Sequence, residues 1–157
     1  MVLRALTLHQ PWASLIAAGE KVYETRSWAP PEGLTHIAIH AGKTVDQFEL
    51  RRDVFRRALK VIDPDVPITL PTSAVLCVCR IVKWVKVDGQ VPEDRRQFGC
   101  REKYFGNFDE GRYAWKLEVV LHCVPPITCR GKQRIWRLPA DIERVLIDSL
   151  ANGGPAR

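Results

Sequence analysis

The sequence predicts a mainly β domain with flanking helices, an α+β arrangement built on a small barrel. Three observations carry this. Several short runs alternate apolar and polar residues, three segments carry helical periodicity, and no regular strand-helix-strand alternation joins them. At 157 residues, 46% hydrophobic and 27% charged, the chain suits one domain that buries a core without a metal or disulfide staple. The expected domain spans 1–150, with a flexible tail at 151–157.

Val2 to Leu8 reads as a first strand. Pro11 to Ala18 follows as a short helix, with proline in its first turn and Gly19 where a left-handed cap is wanted. Lys21 to Trp28 then switches to strand-like alternation, and Pro30-Pro31-Glu32-Gly33 turns the chain. Leu34 to Ala41 alternates, with Ile37 and Ile39 on one face and His36 and His40 on the other. From Val45 to Ile62 one helix is predicted, with Val45, Phe48, Phe55, Leu59 and Ile62 inward and Arg56, Arg57 and Lys60 outward. Asp63 to Pro67 ends it.

Ser73 to Val87 is apolar on both sides at first, as a central strand is. Asp88 to Gly106 reads as a charged insertion carrying Arg95, Arg96, Arg101 and Lys103 beside Tyr104 and Phe105. Arg112 to His122 alternates cleanly, Pro125 to Leu138 reads as an interrupted strand pair, and Pro139 opens a last helix through Leu150.

The net charge of +6 favours polyanionic partners. The five cysteines lack zinc-site spacing, and Cys77 and Cys79 alternate within an apolar run, so no metal and no cofactor is expected. No apolar run approaches the length that spans a bilayer and the N-terminus lacks a signal-peptide profile, so the expectation is a cytoplasmic protein without membrane contact.

Charge gathers at the helix-to-strand junction, where Lys21, Glu24 and Arg26 stand within six residues. A solvated ion-pair surface is one reading of such a run, and a binding site is the other. A nucleotide site needs cations for phosphate, planar faces for bases and hydrogen-bond formers for base edges. Lys21 and Arg26 supply the first, Trp12, Tyr23 and Trp28 the second, and Glu24 can accept from an exocyclic amine or a ribose hydroxyl. In a regular strand Lys21 has the opposite parity to Glu24 and Arg26, so the three converge only if the chain bends between Gly19 and Val22. A second basic cluster, Arg130, Lys132 and Arg134, shares one face if extended, and Gly131 permits close backbone approach.

The phrase Leu6-Thr7-Leu8-His9-Gln10-Pro11-Trp12-Ala13-Ser14-Leu15-Ile16, followed by Gly19, Lys21, Glu24 and Arg26 at their spacing, resembles the opening of the ASCH domain, a family related to PUA domains. Ile39-His40-Ala41, Gly111-Arg112-Tyr113-Ala114-Trp115, Pro126 to Gly131 and Ile135 to Pro139 resemble its later strands in order, so the likeness runs from Leu3 to Pro139. It implies a PUA-like barrel and a partner that is RNA or a modified nucleoside, or DNA. Such a ligand would lie in a cleft floored by Lys21, Glu24 and Arg26, with the Gly111–Trp115 strand, Tyr113 included, and Arg130-Gly131 as the opposing wall. Some members resemble amidohydrolases of N4-acetylcytidine, others ribonucleases, and others interaction modules without chemistry. An enzyme would use Lys21 and Glu24. The amidohydrolase pattern places threonine three residues after the lysine and a glutamate on a central strand, whereas this chain has Glu24 and no acid from Ser73 to Val82.

Overall fold

Alternation along the first strand sorts two cores onto opposite faces of one sheet. Leu6 and Leu8 join a cluster with Ile37, Ile39, Cys77, Trp115 and Leu117, while Leu3 and Ala5 join another with Val75, Val78, Leu121 and Trp136. The structure is a computed structural model that describes residues 1–60, 69–90 and 101–153. Its elements are β1 (Arg4–Gln10), α1 (Trp12–Ala17), β2 (Tyr23–Arg26), β3 (His36–Val45), α2 (Gln47–Arg51), α3 (Asp53–Lys60), β4 (Ala74–Lys86), α4 (Glu102–Phe105), β5 (Tyr113–Thr128), β6 (Ile135–Arg137) and α5 (Ala140–Asn152).

These strands form one six-stranded sheet in the order β2-β5-β4-β3-β1-β6. The β1–β3 pair is parallel and the other pairs are antiparallel. The barrel expected from the sequence is therefore corrected to an open sheet. Its edges, β2 and β6, are only four and three residues long, and no pairing joins them among the described residues. Helices cover what closure would have hidden: α1 packs Ala13 and Ile16 on one face, and α5 packs Ile142 and Leu146 on the other.

Two further expectations change. The single helix from Val45 to Ile62 is two helices, because Arg52 takes an extended conformation (ψ 134°) between them. The helical phase restarts there, which leaves Phe48 73% exposed, while Val45 ends β3; Ile62 and the Asp63–Pro67 loop lie outside the described residues. The expected break after His122 is instead a continuation of β5 to Thr128. Its register against β4 jumps between Val75 and Cys77, so Pro125 and Pro126 fall in a bulge where no ladder hydrogen bond is required of them.

The element that positions the charged motif is the end of α1. Gly19 adopts φ +75° and donates to Ile16 O at 2.9 Å, and the Lys21 amide returns to Leu15 O at 3.0 Å. A Gly19→Ala variant meets nothing within 4 Å of its new Cβ, so its penalty is conformational, about 1 kcal/mol. Urea denaturation should show that loss; an unchanged stability would mean the bend is not imposed by this residue.

Candidate functional site

Gly19 turns the chain back on α1, and the three residues of the motif then converge. Lys21 is 2% exposed; its ammonium donates to Tyr23 O and lies 3.6 Å from Glu24 Oε2. Arg26 Nε approaches Glu24 Oε1 to 2.9 Å from the other side, an ion pair whose angle leaves that N–H without an aligned hydrogen bond. Glu24 is thus a buried carboxylate between two cations. The strand carrying it is fixed by a second buried acid, Glu102 of α4, whose carboxylate accepts from the Val22 and Tyr23 amides at 2.8 to 3.2 Å. Sequence reasoning missed Glu102, since its partner amides lie about 80 positions earlier.

Lys21, Glu24 and Arg26 line a cavity of about 420 Å³. Trp12 forms part of its wall, set edge-on against Phe55 with ring centroids 5.9 Å apart, and Tyr104, Phe105 and Asn107 line the side toward α4. Thr25 points to the strand's other face, yet it also lines this cavity, because the Gly106–Asn107 segment wraps the sheet edge and the Asn107 amide donates to Thr25 Oγ1 at 3.0 Å. A larger cavity of about 680 Å³ lies between the C-terminal end of α1 and the β4–β5 surface, lined largely by aliphatic residues such as Ile16, Val82 and Leu117. Lys21 borders both cavities, Lys116, Glu118 and His122 add polar groups to the larger one, and the smaller one brings Lys21, Glu24 and Arg26 together.

Several candidate residues lie elsewhere. Tyr23 is fully buried among Val87, Phe108 and Ala114, and so offers no stacking face. Trp28 is half-buried, packs edge-on against Trp115 of the core at 4.9 Å, and does not line this cavity. Tyr113 stands opposite Arg26 in the β2–β5 ladder and packs against Trp84, so the Tyr113–Trp115 stretch lies beside β2 in the same sheet instead of across a cleft from it. Arg95 and Arg96 lie outside the described residues, while Arg101 pairs with Glu20.

Arg130, Gly131, Lys132 and Arg134 line a second cleft of about 570 Å³, which shares Thr7, His9 and Arg26 with the first. Beneath it runs a partly buried hydrogen-bond chain. Trp136 Nε1 donates to Thr7 Oγ1 at 2.9 Å, Thr7 Oγ1 meets His40 Nδ1 at 3.2 Å, and His40 Nε2 meets Cys129 O at 3.0 Å. A carbonyl can only accept, so Nε2 carries the proton and Nδ1 accepts from Thr7; the chain is satisfied by neutral His40. Burial pushes the His40 ring below its ordinary value, opposed by the bond to Cys129. Burial also pushes the Cys123 thiol up to about 12, which keeps it a neutral core residue. Among the described residues no three His, Cys, Asp or Glu side chains gather to hold a metal, and no helix is long and apolar enough to cross a membrane.

Two outcomes follow from the buried charges. Glu24→Gln leaves the Lys21 ammonium buried beside a neutral amide and should destabilise the fold by about 3 kcal/mol, whereas Lys21→Met/Glu24→Gln, which removes both charges, should recover most of that in urea denaturation. A double variant less stable than Glu24→Gln would contradict the pairing. For His40, protonation favours the unfolded chain: its contribution is complete above the ordinary value of 6.5 and is lost as pH falls below 6.5 toward the lower folded value. Across that window the thermal midpoint of the wild type should fall further than that of His40→Gln, whose amide can still donate to Cys129 O; parallel profiles would exclude the contribution.

The ASCH domain profile matches residues 6–127. Over 140 residues the chain is 25% identical to Activating signal cointegrator 1 of Homo sapiens and 24% identical to that of Mus musculus, covering 88% of this chain and 23% of each relative. The chain thus spans about a quarter of the length of these curated relatives. In fold it is similar to the crystal structure of ASCH from Zymomonas mobilis, with a TM-score of 0.51, 18% identity and 94% of each chain covered. A serine-to-alanine mutant of that protein gives a TM-score of 0.54 at 17% identity, covering 93% of this chain and 94% of the other. With the profile spanning well over half of its residues, the chain belongs to the ASCH domain family of the PUA-like superfamily.

Proposed function

We propose that the 420 Å³ cavity binds a base of RNA or a modified nucleoside, with Glu24 reading the hydrogen-bonding edge of the base and Trp12 contributing a planar wall. The observation that supports this most directly is a buried carboxylate held between Lys21 and Arg26 and opening on a cavity that Trp12 also lines. A carboxylate accepts hydrogen bonds and does not donate them, so Glu24, set between two cations, suits the exocyclic amines and ring N–H groups of bases. Thr25, whose Oγ1 already accepts from Asn107, keeps its hydroxyl proton to donate. The cavity size falls within the range of small-ligand sites.

The engagement of Lys21 favours binding over hydrolysis. Its ammonium serves the Tyr23 carbonyl and faces Glu24, so it acts as a fixed donor and counter-charge, while a nucleophile or general base would need a free lone pair. No acid stands on β4, where an amidohydrolase of this family would be expected to carry one.

Titration calorimetry with short RNA and DNA strands and with free nucleosides tests the reading. Trp12→Ala should weaken binding by about 1 to 3 kcal/mol, the usual range for loss of a base-stacking aromatic, and Glu24→Gln should weaken it further. RNA-over-DNA preference would report a contact to the 2′-hydroxyl. Binding that neither substitution disturbs would remove the base from this cavity.

A further inference from the structure

The second cleft differs from the first in kind. Lys43, Arg130, Lys132 and Arg134 are exposed on its walls, Arg26 stands at its border with the base cavity, and no Asp or Glu lines it. None of Lys43, Arg130, Lys132 and Arg134 is paired with an acid among the described residues. Elsewhere on this surface arginines do find partners, as Arg80 does on Glu118, Arg52 on Glu49 and Arg101 on Glu20. A solvated face normally mixes both signs; cations gathered around one concavity with no acid among them repel one another until an anion enters.

The backbone of this cleft is also held in place. Ser73 (φ 52°) and Arg134 (φ 57°) are the non-glycine residues with positive φ in the described chain, and both line this cleft. Left-handed conformations cost non-glycine residues about 1 kcal/mol or more, and they gather where surrounding structure clamps a ligand site. Gly131 lies so close over His40 that an added Cβ would stand 2.3 Å from Cε1 and 2.6 Å from Nδ1. His40 in turn holds the Cys129 carbonyl, and the Cys129 amide donates to Ser73 O at 2.9 Å. The segment bearing Arg130 and Lys132 is thus seated before any ligand arrives, which limits the ordering entropy of binding.

We propose that this cleft is a phosphate subsite serving the neighbouring base cavity, so that the ligand is a phosphorylated nucleotide, free or within a strand, rather than an uncharged nucleoside. The inference rests on the base reading above. Arg26 links the two halves: it lines both cavities and contacts Glu24, so one residue borders both the base and the phosphate. Arginine suits that border, because its planar fork keeps donors for a phosphate oxygen while one edge faces the carboxylate.

The test compares, by titration calorimetry at low salt, the nucleoside 5′-monophosphates, the 3′-monophosphates, a tetranucleotide without terminal phosphates, the parent nucleosides and inorganic phosphate. At least one phosphorylated ligand should bind about ten-fold or more tighter than its own nucleoside, a difference near 1.4 kcal/mol. That advantage should shrink in Arg130→Ala/Lys132→Ala, both exposed and removable without touching the core, and in Gly131→Ala, and it should fall as salt rises. The arm with the largest advantage identifies the source as a 5′ end, a 3′ end or an internal diester. Equal affinity for nucleotide and nucleoside, with both sensitive to Trp12→Ala, would overturn the phosphate subsite and leave the base cavity standing. Nucleotide binding lost in Arg130→Ala/Lys132→Ala but indifferent to Trp12→Ala and Glu24→Gln would keep the phosphate cleft and remove the base reading. No binding in any arm would overturn both.

Discussion

A lysine ammonium with 2% of its residue surface exposed is tolerated only if its charge is answered nearby, and much of this molecule's charged end is arranged around that requirement. Glu24 answers it, Arg26 balances the carboxylate from the far side, and the Tyr23 carbonyl accepts a hydrogen bond from the ammonium. The ion pair forms because Gly19 reverses the chain at the end of α1, which brings Lys21 round to the face that Glu24 and Arg26 already share. The edge strand carrying these groups is short, and Glu102 holds its first amides while Arg112 donates to the Thr25 carbonyl at 3.2 Å. Charges placed in this way are expensive as stability devices, because each must be desolvated before its partner answers it.

The division between the two cavities follows from the sheet's own geometry. The C-terminal end of β1 carries Thr7 and His9 to the border between them, so the same few residues line both. On one side lie Glu24, Trp12 and the α4 segment, and on the other the Arg130–Arg134 segment that precedes β6. Thr7 also ties the floor together, accepting from Trp136 and meeting His40, so that β1, β3 and β6 are joined by side chains as well as by their ladders. The open sheet permits this: with β2 and β6 left as edges, the segments next to both remain free to frame a groove.

Local signals made a good part of this legible. Gly19 after an apolar helix announced the bend, and the parity of Lys21 against Glu24 and Arg26 stated what the bend must accomplish. Alternation located β1, β3 and the first part of β5, and the apolar Ala74–Cys79 run located a strand that lies between β3 and β5. What escaped depends on contacts distant in sequence. Tyr23 and Trp28 look like stacking faces until Phe108 and Trp115 are packed against them, and Phe48 looks inward until Arg52 resets the helical phase. The expected barrel rests on many short strands without strand-helix-strand alternation and on the family resemblance, and neither reveals that α1 and α5 each cover a face. The roles of Glu102, Thr7 and Lys43 had no local signature, since each is defined by a partner or a wall contributed from elsewhere in the chain.

The most direct test of the central claim is amide chemical-shift mapping by NMR while a short single-stranded RNA is titrated into the protein. A base beside Glu24 with its phosphate near Arg26 should move the resonances of Glu24 to Arg26, Gly106 and Asn107 together with those of Arg130 to Arg134, in one saturating step. Shifts confined to the opposite cavity around Val82, Leu117 and His122, or to the exposed outer face of α3, would contradict it.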